Sequence, residues 1–309
     1  MKKYSVKQKR TLIVSLIIIF AIAIGITVCE NFNIISWKNV FNLAGVSDFA
    51  SESDRYDMSV HFIDVGKADS IYIKCKDKNI LIDAGEKNTY DLVNEYLRRQ
   101  NVKVLDLVIA THPHTDHIGG MPKVIEEFQI NKLLMPELKE EVIPTSRTYE
   151  KFLLAIKNKN IAPERPIPGT SFNVGELIFE VLAPNKQYDD VNNNSIVVKM
   201  TFKNTSFLFT GDAEKESEND MMNNNFNLEA DVLKVGHHGS KTSTSSAFLR
   251  KVNPKYAVVC VGEDRYNLPK KITIDKLTKR NIKVFRTDCN GTVVFSTDGN
   301  KISVFTEKE

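Results

Sequence analysis

From Ser59 onward, apolar and polar residues fall into short β-branched runs bounded by turn residues. SVHFIDV, SIYIKC and NILIDAG read as strands, a helix-like DLVNEYLRRQ follows, and VLDLVIAT reads as a further, buried strand. A second series, LIFEVLAP, SIVVKMTF, TSFLFTGD, DVLKVGH, YAVVCV, KVFRTD, TVVFST and KISVFTE, closes the chain. Helix candidates lie between them at 121–128, 148–157, 213–222, 245–252 and 274–280. About a dozen strands with helices inserted between them predict an α/β (α+β) domain over 58–309, a two-sheet sandwich flanked by helices around one continuous core. No repeat of 20–50 residues and no low-complexity tract interrupts this texture.

The first part of the chain follows a different pattern. Residues 11–29, TLIVSLIIIFAIAIGITVC, carry no charge and are long enough as a helix to cross most of a ~30 Å hydrocarbon core. Lys2, Lys3, Lys7, Lys9 and Arg10 precede them, which predicts a basic cytoplasmic tail at 1–10, a single-pass signal anchor at 11–29, a linker at 30–57, and the main domain outside the cell membrane. Cleavage after Ala21-Ile22-Ala23 would instead release a secreted domain. The length of the apolar run favours the anchor.

Charge then narrows the partners. The formal net charge is +3, five positive charges lie within the first ten residues, and the rest of the chain is therefore at −2. A chain-wide basic nucleic-acid binder is excluded, so any polyanion must be met by a local patch or a metal. Of the four cysteines, one lies in the apolar run, while Cys75, Cys260 and Cys289 show no CxxC spacing. Neither a cysteine metal site nor a dense disulfide framework is expected.

The chemistry concentrates in Thr111-His112-Pro113-His114-Thr115-Asp116-His117-Ile118-Gly119-Gly120, directly after the apolar LDLVIA. A loop leaving a buried strand can turn imidazoles at i and i+2 toward one ion, while i+4 and i+5 offer a carboxylate and an imidazole to a second. Asp212 ends the apolar SFLFTG, and His237 ends the next strand, DVLKVG, which would bring both to the same sheet edge. Asp212 also suits a helix N-cap before AEKESEND. His238 stands open between three roles: the ligand in place of His237, a nearby acid, or a neighbour.

The HxHxDH pattern resembles the metallo-β-lactamase fold superfamily, a four-layer αββα sandwich with a binuclear site at one edge. Residues 59 to about 305 look more narrowly like the metallo-β-lactamase-type domain of ComEC competence proteins. HFIDVGKADS at 61–70, LIDAG at 81–85, NNNS at 192–195, FTGD at 209–212 and LKVGHHGS at 233–240 follow in that family's order. The resemblance implies that His112 and His114 bind one metal, that Asp116, His117 and His237 bind the other, and that Asp212 bridges them. Three departures accompany it. No His stands between the first motif and Asp212, where many such enzymes supply a third imidazole, so solvent or Asn194 is expected to complete that ion. Lys67 and Ala68 replace the family's Gln and Gly, and Tyr266-Asn267-Leu268-Pro269 replaces Tyr-Gly-His-Pro.

Two divalent ions, Zn²⁺ or Mn²⁺, at an open sheet edge would share a water acidified toward neutrality, and hydrolysis is the expected reaction class. The favoured substrate is a phosphodiester, single-stranded DNA included, with Asp116 orienting the nucleophile and His238 or solvent protonating the leaving oxygen. A segment with Lys234, Ser240, Lys241, Thr242 and Ser243 around the metal His offers a weak basic cluster. The alternatives are a teichoic-acid phosphorylcholine-type esterase of the cell envelope and a non-catalytic binding protein that retains the fold. Membrane contact is expected through residues 11–29, and the sequence names no protein partner.

Overall fold

The computed structural model describes residues 56–263 and 266–308, together with a few scattered residues between Ser15 and Val28. Among the described residues no helix is long and apolar enough to cross a membrane. The expected anchor at 11–29 lies largely outside them; of its described residues, Phe20, Ile24 and Val28 are exposed. The unit from Ser53 to Glu309 holds the whole of the described sandwich.

Two seven-stranded sheets make the middle layers. In one, the strands run Ile302–Thr306, Val293–Thr297, Met58–Phe62, Ser70–Cys75, Lys78–Ala84, Leu107–Ile109 and Leu133–Leu134 in spatial order. In the other the order is Lys283–Arg286, Tyr256–Val259, Val232–Lys234, Thr205–Phe209, Val197–Phe202, Leu177–Ala183 and Ser171–Val174. Each sheet is antiparallel over its hairpins and turns parallel where helices intervene: Lys78–Ala84 with Leu107–Ile109, and Thr205–Phe209 with Val232–Lys234 and Tyr256–Val259.

Strand alternation explains the layering. Ile71, Ile73, Ile80, Ile82, Phe207 and Phe209 point inward into one buried cluster between the sheets. Their neighbours Tyr72, Leu81 and Leu208 point outward. On one outer face Tyr72 and Leu81 meet Val93 and Leu97 of helix Tyr90–Arg99 and Phe152 of helix Arg147–Asn158. On the other Leu208 and Leu233 meet Met221, Phe248 and Leu277. The result is the αββα order, with helices outside both sheets.

The expected strands and helices are all present within a few residues of their predicted ends. VLDLVIAT divides at Asp106 into Val104–Leu105, which pairs with Gln129–Ile130, and the core strand Leu107–Ile109. Strand Ser171–Val174 and the two short strands Gln129–Ile130 and Leu133–Leu134 carry no comparable apolar run and were not predicted. Cys75 and Cys260 are buried free thiols, whereas Cys289 is exposed.

Phe295 sits edge-on against Phe62, Phe207, Tyr256 and Phe285 at the centre of the inter-sheet core. Phe295→Ala is expected to lower stability by about 3–5 kcal/mol, read from the urea unfolding midpoint, because this packing leaves little room to collapse.

Candidate metal centre

Four chain segments, two from each sheet, reach one edge of the sandwich as their parallel strands end, the position where α/β sheets open toward ligands. Leu107–Ile109 leads to His112 and His114, Lys78–Ala84 ends at Asp83, Thr205–Phe209 leads to Asp212, and Val232–Lys234 leads to His237 and His238. Two glycines permit this convergence. Gly211 has φ +50 and lies where a Cβ would meet Ser195 Oγ and Thr111 Cβ at 3.0 Å. At Gly120 a Cβ would stand 2.2 Å from the Ala84 carbonyl oxygen, so the backbone after HTDHIG closes directly onto the neighbouring strand.

The HxHxDH segment gathers its histidines closely, and His112 and His117 share a ligand group with Asp212. His112 Nε2 and His114 Nδ1 stand 3.0 Å apart. The single helical turn Thr115–Ile118 carries Asp116 and His117 around to a second group. Asp212 is buried between the two groups. Its Oδ2 lies 4.0 Å from His112 Nε2, 3.8 Å from His237 Nε2 and 3.6 Å from His238 Nε2, and its Oδ1 lies 3.4 Å from His117 Nε2.

Both histidines of the pair 237–238 therefore face Asp212, but in different surroundings. His238 is fully buried, its Nε2 is 3.5 Å from Asp116 Oδ2, and with Asp116 and His117 it forms a compact ligand group. His237 sits toward the rim, with Nδ1 donating to Glu214 Oε1 at 2.9 Å. The structure thus brings His238, the residue with open roles, into the Asp116–His117 group where His237 was expected. Both residues have positive φ, 49° each, which turns two consecutive side chains to one side.

The hydrogen bonds set the tautomers. A carbonyl only accepts, so His238 Nδ1 donates to Cys260 O at 2.8 Å and Nε2 faces the centre bare. Asp83 Oδ2 accepts from both His117 Nδ1 at 2.7 Å and Thr111 Oγ1 at 2.6 Å. With its proton so used, Thr111 Oγ1 accepts from His112 Nδ1 at 3.2 Å, and His112 Nε2 is left as a lone pair. His117 Nε2, His238 Nε2 and Asp212 Oδ1 are buried without a hydrogen-bond partner. Unpartnered imidazole and carboxylate atoms aimed at one point are costly alone, and they fit divalent cations.

Electrostatics agree with that fit. Burial, together with the charge of His117, pushes His112 well below the usual imidazole pKa, so it is neutral and able to ligate. Burial opposes ionisation of Asp212, but the neighbouring His117, His238 and Lys234 hold it well below the usual carboxylate range. Burial likewise opposes an imidazolium at His117, yet Asp212, Asp83 and Asp69 outweigh it and raise its pKa well above the ordinary value.

Several participating residues carried no role in the sequence reading. Asp69 and Asp83 were quoted within motifs only, and Ser195 and Glu214 were not singled out for the site. Ser195 Oγ accepts from the Asp212 amide at 3.0 Å and so fixes the bridging carboxylate. Lys234 corrects the expected basic cluster: it is 1% exposed, ion-paired with Asp69, and donates to Gly211 O at 2.9 Å. Ser243 is buried as well, while Lys241 is exposed and Ser240 and Thr242 are half-buried, so only these three of the five face solvent. The visible signal for Lys234 was parity, since it shares the inward face with Val232. Asn194 is engaged in its own turn: its amide donates to Tyr188 O and Asp190 O, and its oxygen accepts from Tyr188 N.

A four-layer sandwich with paired His/Asp ligand groups at its parallel strand ends defines a metal-dependent hydrolase. The chain belongs to the metallo-beta-lactamase superfamily, whose family model matches residues 63–263. It is 32% identical over 256 residues to the ComE operon protein 3 of Bacillus subtilis (strain 168), covering 76% of this chain and 32% of that protein. It is 29% identical over 241 residues to Recombination protein 2 of Haemophilus influenzae, covering 76% of this chain and 28% of that one. The chain thus spans about a third of the length of these relatives. Among solved structures, CmlA, a diiron beta-hydroxylase from Streptomyces venezuelae, superposes with a TM-score of 0.55 at 10% identity, over 78% of this chain and 54% of that one, a likeness of fold. The superfamily binds divalent metals, typically two, and the His/Asp groups for them are present here.

Ion binding is expected to release about one proton per chain near neutral pH, because His117 holds a proton that its ligand role must displace. Apparent affinity should then rise about tenfold per pH unit while that proton is still bound. Calorimetry in buffers of different ionisation enthalpy measures the release, and a pH-independent affinity would contradict it.

Proposed function

We propose that the chain is a membrane-anchored, extracellular phosphodiesterase that cuts nucleic acid, with single-stranded DNA the first substrate to test. The observation that carries this reading is Asp212, a buried carboxylate facing imidazoles of both ligand groups at the floor of an open cavity of about 660 Å³. His112, His114 and Asp212 would hold one ion; Asp116, His117, His238 and Asp212 would hold the other, Zn²⁺ or Mn²⁺. Bound there, the ions supply neutralisation of phosphoryl oxygens and a nucleophile at neutral pH.

The chain's own residues do the rest. Asp116 lines the cavity mouth, where its free carboxylate edge can orient a water, and Lys67 Nζ donates to its Oδ2 at 3.1 Å. Lys67 and Lys270 stand at the same rim as the exposed ring of Tyr266, a basic and aromatic combination that suits a single-stranded polyanion. The relationship to competence proteins supports a nucleic acid over other phosphodiesters. The anchor at 11–29 and an outside location rest on the uncharged apolar run and the five positive charges before it.

One observation favours a second reading. The adjoining cavity is lined by Glu86 and Glu263 beside Tyr266, a carboxylate and ring environment that fits the quaternary ammonium of a phosphorylcholine ester.

The full-length chain is assayed on single-stranded DNA, bis-p-nitrophenyl phosphate and p-nitrophenylphosphorylcholine, each with Mn²⁺ or Zn²⁺. DNA cleavage that falls at least 100-fold in His114→Ala and Asp212→Ala, with the circular dichroism unchanged, is expected. Turnover of the choline ester alone selects the second reading. No turnover of any substrate by ion-loaded protein leaves a binding protein.

A further inference from the structure

The near-neutral balance of the domain conceals a segregation of charge. Residues 250–286 hold eleven Lys and Arg against three Asp and Glu, a net +8, while residues 58–309 as a whole stand at +1, so the remainder of the domain is at −7. Topology gathers these cations on one flank. Helices Ser246–Val252 and Lys271–Thr278 both lie outside the second sheet and lead into the parallel strands Tyr256–Val259 and Lys283–Arg286. Both therefore run from the edge that carries Asp212 and His237 to the opposite one. Lys270, just before the second helix, lines the same cavity as Asp212. Lys276 Nζ donates to Ser243 O and Thr244 O at 3.4 and 2.6 Å, which ties that helix to the start of the first. At the far edge Lys283 N donates to Lys255 O at 3.0 Å and sets the two strand starts side by side. From Lys270 to Arg280 the strip is about 15 Å long, at one helical rise per residue.

Much of this charge is uncommitted. Lys271 pairs with Asp275 at 2.7 Å, Lys255 with Asp231 at 2.9 Å and Arg286 with Asp288 at 2.6 Å. Arg250, Lys251, Lys279, Arg280 and Lys283 are exposed, and none of them has an ion pair among the described residues. The dipole at a helix C-terminus favours a cation in the last turn, which accounts for Arg250 and Lys251. Lys270 and Lys271 stand at the opposite end of their helix, where the dipole opposes a cation, so helix stability does not explain them.

We propose that this flank is a binding surface for the sugar-phosphate backbone of single-stranded nucleic acid, a track that leads from the cavity along helix Lys271–Thr278 to the far edge. It deepens the nucleic-acid reading given above, and rests on it for the identity of the polyanion. A row of cations that begins at the cavity matches a phosphate chain whose one end enters the cavity. Contacts of this kind are indifferent to base sequence and weaken with salt, because they act by counterion release. A lipid surface fits less well: it would meet only the far edge and leave Lys270 and Lys271 without an anion.

The test reads affinity rather than turnover. Full-length chain is titrated onto fluorescently labelled single-stranded DNA under a chelator that prevents cleavage, and anisotropy is followed over a range of salt. The triple variant Lys279→Gln, Arg280→Gln, Lys283→Gln is expected to bind about tenfold more weakly, and its slope of log affinity against log salt should flatten by about 2, at ~0.7 per lost contact. Its hydrolysis of bis-p-nitrophenyl phosphate, a substrate too small to reach the flank, should be unchanged. Lys151→Gln, Lys157→Gln, Lys159→Gln makes the same change in net charge at helix Arg147–Asn158, on the other outer layer, and should leave affinity within about twofold. Equal losses in the two variants, or an unchanged salt slope in the first, would overturn the proposal. In phosphatidylcholine vesicles, DNA should protect the bonds after Lys279, Arg280 and Lys283 from trypsin; protection by added phosphatidylserine and not by DNA assigns the flank to lipid headgroups instead. DNA cleavage by wild-type protein with binding unaltered in the first variant removes this surface and leaves the nuclease. Binding through these residues without cleavage by ion-loaded protein removes the nuclease reading and leaves the surface.

Discussion

Three carboxylates, Asp69, Asp83 and Asp212, are buried at one sheet edge with a single buried ammonium, Lys234, and the design of the centre follows from how that negative charge is met. Buried charge is tolerable only when paired and hydrogen-bonded. Asp83 is met by Thr111 and His117, Asp69 by Lys234, and Asp212 by Lys234 and by imidazoles on its flanks. The partners come from several segments: Thr111 and His117 follow Leu107–Ile109, and Lys234 ends Val232–Lys234. The carboxylates therefore depend on the parallel register of Thr205–Phe209 with Val232–Lys234, and that register depends on the apolar alternation that packs the sheets together.

That dependence also explains what could be read from the sequence. The HxHxDH segment stood out because its residues are local: a two-residue step sets His112 beside His114, and a single helical turn carries Asp116 and His117. The sandwich was legible from alternation, except where strands are two residues long or carry polar positions, as at Ser171–Val174. Glu214 and the sorting of His237 from His238 were not legible, and Lys234 was marked only by its parity with Val232. Lys234 reads as surface until strand pairing puts its side chain under Asp212, and adjacent histidines separate only through a pair of left-handed residues that no sequence period marks.

The rigid and adaptable parts of the site lie on different structure. Ligands sit on strand ends and one tight turn, supported by hydrogen bonds that leave few alternative rotamers. Glu263, Tyr266 and Lys270, by contrast, sit on the connection between Tyr256–Val259 and helix Lys271–Thr278. Reaction class thus follows from the core of the fold, while substrate choice follows from a loop that the core does not dictate.

Charge links the two parts. At the centre Asp69, Asp83, Asp116 and Asp212 face Lys234 and Lys67, which leaves the site formally negative within a domain, residues 58–309, whose formal net charge is only +1. An anionic substrate approaching such a cavity meets repulsion that two rim lysines only partly offset. Two divalent ions reverse the sign locally without changing any surface residue. Ion loading would therefore do more than supply chemistry: it would turn a cavity that repels anions into one that attracts them.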